Sequence, residues 1–247
     1  MIKKFIPGAT SRLAFINHDE TYGRHVLDRW VKSIDTKVAV DLGCGHGYDL
    51  LVVKKNHPSS HLIGIDFGDW NKEKLTGVGI AKKTLNIEKD PLPFEANSVD
   101  LIICNQVLEH VKEIYWINHE IFRVLKLGGY LYLGVPNILS FHNRLLSFFG
   151  VHPTQAKMIS AHIRTYSIGD TSQFYTTIGG EFLKVLKVSG SQFYPFPTPI
   201  SRPLARAFPG SAFSIFFLIQ KVADYHREFL DWPAKASLET NYFVGHS

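Results

Sequence analysis

The sequence predicts an α/β fold: a mostly parallel seven-stranded sheet with helices on both faces and an antiparallel last strand. Three observations carry this expectation. Short β-branched apolar runs alternate with helical patterns through the first half of the chain, the arrangement of a parallel sheet covered on both sides. The first such run, Val38-Ala39-Val40-Asp41-Leu42, feeds directly into a loop with glycine at 43, 45 and 47 and then into a helical pattern. The chain of 247 residues, 45% hydrophobic and 20% charged, has the size of one α/β domain with insertions.

Val26, Leu27, Trp30, Val31 and Ile34 recur at helical spacing, so residues 21–34 read as an amphipathic helix. Strands are expected at 38–42, 61–66, 82–86 and 100–104, with a helix over 48–55. A helix over 113–125 should end at Gly128-Gly129, followed by a strand at 130–135. Residues 138–149 and 170–178 read as helices, and 182–188 and 213–219 as the final strands. Between those strands, residues 191–210 hold five prolines and several aromatics and read as a long functional loop. The expected organisation is a single domain over 1–221, comprising an N-terminal helical cap (1–36) and acceptor-binding insertions within 137–210, with a tail at 222–247 that carries no pattern.

Lys and Arg number 27 against 22 Asp and Glu, but the basic residues are scattered, so there is no clear nucleic-acid signal. The two cysteines, Cys44 and Cys104, both lie in apolar stretches, which suits free thiols in a reducing cytoplasm. The start carries Lys3 and Lys4 but no apolar run of signal-peptide length, and the apolar run at 212–219 is too short for a transmembrane segment. Oligomeric state has no signature in the sequence.

The strongest chemical signal is Asp41-Leu42-Gly43-Cys44-Gly45-His46-Gly47 between a strand and a helix. Glycine there lets the backbone turn sharply and approach a ligand with no Cβ in the way. Asp66 ends the next strand about twenty residues on, where a carboxylate can accept from both hydroxyls of a ribose. The pair points to a nucleoside-containing cofactor rather than a bare tight turn. A dinucleotide fold wants G-x-G-x-x-G, whereas position 48 here is Tyr48, so NAD is disfavoured.

Asp41 to Gly47, Asp66, Leu92-Pro93-Phe94, Glu109-His110 and Arg123-Val124-Leu125-Lys126-Leu127-Gly128-Gly129 together resemble the Rossmann-like class I S-adenosylmethionine-dependent methyltransferases, over residues 38–135. The resemblance extends to the bacterial small-molecule and surface-polysaccharide group and to the ubiquinone-biosynthesis O-methyltransferases. It implies S-adenosyl-L-methionine as cofactor. Asp41, Gly43, Cys44, Gly45 and Gly47 would hold its methionine part, Asp66 the ribose, and Asn86 and Ile87 the adenine, with Phe67 also in the cofactor site and Asn105 lining the same pocket. Tyr22 and Arg24 read as helix-capping residues, with cofactor contact as the alternative.

Gln106, Glu109 and His110 share a face if that segment is helical. They resemble the E-x-x-E-H motif that, in the ubiquinone-biosynthesis and small-RNA methyltransferases, helps hold a divalent metal over the acceptor hydroxyl. The first position here is Gln106 instead of an acid, so no metal ligands are assigned and a divalent metal stays an alternative. By the same resemblance His162, after the fifth strand, is the preferred general base, with Glu109 and His110 as further catalytic candidates. Aromatics and arginines in 137–210 suit a sugar, an anionic glycan or a lipid-linked precursor. The resemblance to the O-methyltransferases and to the surface-polysaccharide group implies O-methylation of a small molecule or glycan precursor, with polysaccharide biosynthesis as the expected setting. The alternatives are an RNA or protein methyltransferase and a catalytically silent cofactor-binding scaffold.

Overall fold

A computed structural model describes residues 18–239 and 241–245. Half of the expected N-terminal cap, residues 1–17, therefore lies outside the described residues. A short 3-10 turn, His18–Tyr22, leads into α1 (Arg24–Val31). There follow β1 (Val38–Leu42), α2 (Tyr48–Asn56), β2 (His61–Asp66), α3 (Lys72–Gly77), β3 (Ile80–Thr84) and β4 (Val99–Asn105). Next come α4 (Ile114–Val124), β5 (Leu125–Pro136), α5 (Phe141–Phe148), α6 (Ile168–Gly179) and β6 (Leu183–Ser191). The last elements are α7 (Thr198–Ala207), β7 (Ser214–Lys221) and α8 (Glu228–Lys235).

The seven strands form one sheet in the order β3-β2-β1-β4-β5-β7-β6, with β7 antiparallel to both neighbours and the rest parallel. Period-2 alternation sends Val40, Leu42, Ile102, Leu131 and Leu133 to one face, where α4, α6 and α8 cover them. Ala39, Leu101, Ile103, Tyr132 and Phe216 go to the other, under α1 and α2. Both faces are apolar, so these strands read as continuous hydrophobic runs. The order reverses between β1 and β4, which opens a crevice at the carboxyl ends of those strands.

Several boundaries differ from expectation. Gly128-Gly129 does not stop the helix: α4 ends at Val124, β5 begins at once, and the glycines fill an irregularity where pairing jumps from Val99–Leu125 to Leu101–Tyr130. The third strand starts two residues early, at Ile80. The proline-rich stretch holds a helix, α7, with Pro199 in its first turn, where a missing N–H costs nothing. The tail is packed as well, for Phe229 of α8 is fully buried and stacks on Phe122 at 5.3 Å.

Gly23 joins the N-terminal turn to α1 at φ 56°, and a Cβ there would stand 2.2 Å from the buried Phe216 ring. Gly23→Ala is therefore expected to cost about 2 kcal/mol or more from left-handed strain plus overpacking. Urea unfolding checks this; an unchanged midpoint would mean that the ring yields freely.

Candidate active site

Every strand on the β1–β4 side of the crevice ends in a loop that contributes to it. Asp66, the last residue of β2, accepts from Gly45 N at 2.8 Å through Oδ2 and from its neighbour Phe67 N at 2.8 Å through Oδ1. These bonds fix the carboxylate against the glycine loop while leaving lone pairs on both oxygens. Gly43 (φ 70°) and Gly45 (φ 49°) turn that loop, and no atom lies within 4 Å of where a Gly45 Cβ would stand. The loop backbone thus borders open space.

That space is a cavity of about 550 Å³ with Gly43, Gly45, Asp66, Phe67, Asn86 and Ile87 in its wall. Trp70, Glu88 and Val107 complete the wall and were not anticipated. Phe67 is 75% exposed and packs edge-on against Trp70 at 4.6 Å, an aromatic rim that a flat heterocycle can cover. A second cavity, of about 580 Å³, shares Gly43, Gly45, Gln106 and His110 with the first, so the two form one trough. Its wall includes Asp41, Cys44, Asp49, Asn105, Glu109 and His162. Gly47 borders neither cavity: at φ 71° it precedes α2, packed where a Cβ would strike Leu75. There it shapes the turn into α2.

Two buried acids floor the second cavity. Burial, together with Asp49 and Asp66, holds the Asp41 carboxyl well above the usual range. Burial raises Asp49 too, opposed by Asn105 Nδ2, which donates to it at 2.7 Å, and by Arg24 Nε at 2.9 Å. Arg24 lies between the Tyr22 and Tyr48 rings at 4.5 and 4.9 Å. Neither Tyr22 nor Arg24 caps α1, whose N-cap is Gly23 without a side-chain bond. Asn105 Nδ2 also donates to Tyr22 O at 2.9 Å, while its Oδ1 is buried without a partner. The residues present fit the implied cofactor: Asp66 keeps acceptor capacity that would suit a ribose, and Asp49 with the unpartnered Asn105 Oδ1 would suit an ammonium. Burial, reinforced by Asp41 and Asp66, pushes the Cys44 thiol up to about 12, which disfavours the thiolate.

The Gln106 to His110 segment is not an α-helix. Gln106 takes a left-handed φ of 58°, and only Leu108–His110 makes a 3-10 turn. The three side chains nevertheless reach the same cavity. Glu109 is 1% exposed, its Oε2 has no partner, and burial pushes its carboxyl up to about 8. The Glu109 carbonyl accepts from Ile163 N at 2.8 Å, which draws His162 alongside. The His110 and His162 rings meet edge-to-face at 4.8 Å. His110 Nδ1 lies 3.2 Å from Ala161 O, which can only accept, so Nδ1 donates, and Nε2 stands 3.8 Å from Glu109 Oε1. His162 Nδ1 is buried without a partner, and burial, then His110, lowers its pKa. Glu109, His110 and His162 can each offer one ligand atom, all within 4.8 Å of one another, a donor set not assigned from the sequence.

Glu109 gives a signed pH prediction. Its folded-state pKa stands above the ordinary 4.5, so the folded chain holds a proton that the unfolded chain releases. Stability should fall as pH rises from about 4.5 and level off above about 8. Glu109→Gln should remove that slope, raising Tm by several degrees at pH 9 and little at pH 4.5. Parallel melting curves for both variants across that range would count against a buried acid here.

Comparison with known proteins gives the same picture. A methyltransferase domain family matches residues 40–133. A demethylmenaquinone methyltransferase of Lactobacillus johnsonii is 29% identical over 140 residues, 52% of this chain and 57% of that protein. A malonyl-acyl-carrier-protein O-methyltransferase of Coxiella burnetii is 32% identical over 114 residues, 44% of each. The chain spans about half the length of these curated relatives. Among solved structures, the plantazolicin methyltransferase BpumL in complex with SAH superposes with a TM-score of 0.59 at 15% identity, covering 84% of this chain and 87% of that one. An S-adenosylmethionine-dependent methyltransferase of Thermotoga maritima gives 0.59 at 18% identity, covering 82% and 91%. Residues 40–133 thus match a methyltransferase domain, and the sheet order is the fold of the S-adenosylmethionine-dependent methyltransferases on which the chain superposes.

Proposed function

We propose that the chain transfers a methyl group from S-adenosyl-L-methionine to a hydroxyl of a small molecule or saccharide precursor. The observation that carries this reading is the junction of the two cavities. The wall they share leads from the Asp66 side to Glu109, His110 and His162. When bound, S-adenosylmethionine supplies an electrophilic methyl on a positively charged sulfur. Asp66 would orient its ribose and Asn105 with Asp41 its amino acid end, so that the remaining work of the protein is to position the hydroxyl and take its proton. His162, with its pKa lowered, is neutral near pH 7 and can accept that proton as the oxygen–carbon bond forms and the carbon–sulfur bond breaks. Glu109, protonated below about 8, would donate a hydrogen bond within the same cluster.

A divalent cation held by Glu109, His110 and His162 is the second reading, favoured by their mutual approach within 4.8 Å. Two imidazoles and one carboxylate suit manganese, iron or zinc better than magnesium. A cation there would polarise the acceptor hydroxyl, and its affinity should rise as Glu109 deprotonates toward pH 8. Chelator treatment followed by manganese titration tests this: turnover lost and restored supports the cation, and turnover untouched by chelation removes it.

The proposed activity is tested by incubating the protein with methyl-labelled S-adenosylmethionine and a panel of phenols, sugars and nucleotide-sugars, with a tRNA pool alongside. Label in an alkali-stable ether of a small acceptor supports the reading. Label only in RNA or on carbon or nitrogen contradicts it. Cofactor binding without transfer to any acceptor would favour the silent scaffold. The scattered charge and the reducing environment suited to Cys44 and Cys104 fit a cytoplasmic setting.

A further inference from the structure

Residues 138–166 leave the carboxyl edge of the sheet after β5 and return to it, closed at the base by Ile138 N donating to Tyr166 O at 2.8 Å. The excursion is internally braced: Thr154 N donates to Asn143 Oδ1 at 3.2 Å, and Asn143 Nδ2 pairs with Gln155 Oε1. It is a built structure, yet it presents large apolar side chains to water. Phe148 and Phe149 are 82% and 75% exposed at the end of α5, and Met158 and Ile159 are 103% and 95% exposed on the return. Apolar tips this bare need a partner.

Charge identifies the partner. From Ile121 to Gly169 the chain has no Asp or Glu, although 22 acids occur elsewhere in it. Arg144 and Lys157, both exposed, flank the apolar tips within the same excursion. Apolar side chains set among cations with no acid between them complement an anionic lipid surface, where rings enter the acyl boundary and cations meet phosphates. No described helix is long and apolar enough to cross a membrane, so contact would be peripheral. His162 lies three positions after Ile159, a reach of about 11 Å at full extension, so the candidate acceptor pocket would open beside the headgroups.

We propose that the 138–166 excursion is a membrane-docking face that seats this protein on anionic bilayers through Phe148, Phe149, Met158 and Ile159. Docking does not require methyl transfer, so it can stand or fall separately from the proposed activity. The test is flotation of the full chain with phosphatidylglycerol/phosphatidylcholine vesicles and with phosphatidylcholine vesicles alone. The expected result is binding to the anionic vesicles, at least tenfold weaker without phosphatidylglycerol and at least tenfold weaker for a variant with all four apolar residues changed to serine. Because these residues are exposed, the variant should keep its melting temperature and its S-adenosylmethionine affinity. A second variant, Phe149→Trp, should show indole emission quenched by brominated lipid. Three results would overturn the proposal: no flotation of the unmodified protein, flotation insensitive to the serine changes, or a concentration-dependent dimer that those changes abolish.

Discussion

Asp66→Ala is expected to weaken S-adenosylmethionine binding by about two to four orders of magnitude while leaving the fold intact. Both carboxylate oxygens already accept one backbone N–H each, at 2.8 Å, so the group is held in place before any ligand arrives. Two hydroxyl bonds to such a charged acceptor are worth about 1.5–3 kcal/mol each, which sets the size of the loss. The substitution also frees Gly45 N, so part of the effect would come from a loosened glycine loop. Asp66→Asn separates the two contributions, since it keeps one acceptor against the loop. Calorimetry with circular dichroism as the folding control is the check, and affinity within a few-fold of the parent would refute the ribose assignment.

His162→Ala is expected to lower turnover by about 10²–10⁴ on any acceptor the parent methylates, with cofactor affinity unchanged. The imidazole lies in the second cavity, away from Asp66, and its Nδ1 is buried with nothing to bond. A group that is costly to leave unsatisfied is poised for a ligand or a proton. Activity in the parent should rise with pH through a value below 6.5, where His162 loses its proton, and the variant should lose that limb. Full activity in the variant would remove His162 as the base.

The half of the fold that was legible in the sequence is the half where backbone geometry forces residue choice. A parallel strand buried on both faces must be continuously apolar, and a turn approaching a ligand must use glycine, so Val38–Leu42 and residues 43–47 announced themselves. Asp66 followed from its place at a strand end. Helix α7 was hidden because an interior proline ordinarily costs a helix about 3 kcal/mol. It forms around Pro203 because Ala205 and Leu204 pack on Phe193 and Ala212, and because Arg202 makes a paired contact with the buried Glu20 at 2.8 and 2.6 Å.

The cluster of Gln106, Glu109 and His110 was reached by the wrong geometry. Helical spacing would put Gln106, Glu109 and His110 on one face; a left-handed Gln106 and a 3-10 turn bring them together instead. Asp49 and its pairing with Arg24 were missed because the partnership spans 25 residues, and no periodicity records such a pair. An acid inside the buried stripe of α2 was the available signal. Trp70 stands in a loop between β2 and α3, where nothing local marks a cavity wall.

The central claim is that the trough between the glycine loop and Asp66 holds S-adenosylmethionine, and calorimetric titration with that cofactor and, in parallel, with NAD tests it most directly. Saturable binding of S-adenosylmethionine with low-micromolar affinity and no heat from NAD is the predicted result. Binding of NAD in its place, or no binding of S-adenosylmethionine by folded protein, would contradict the account from the glycine loop onward.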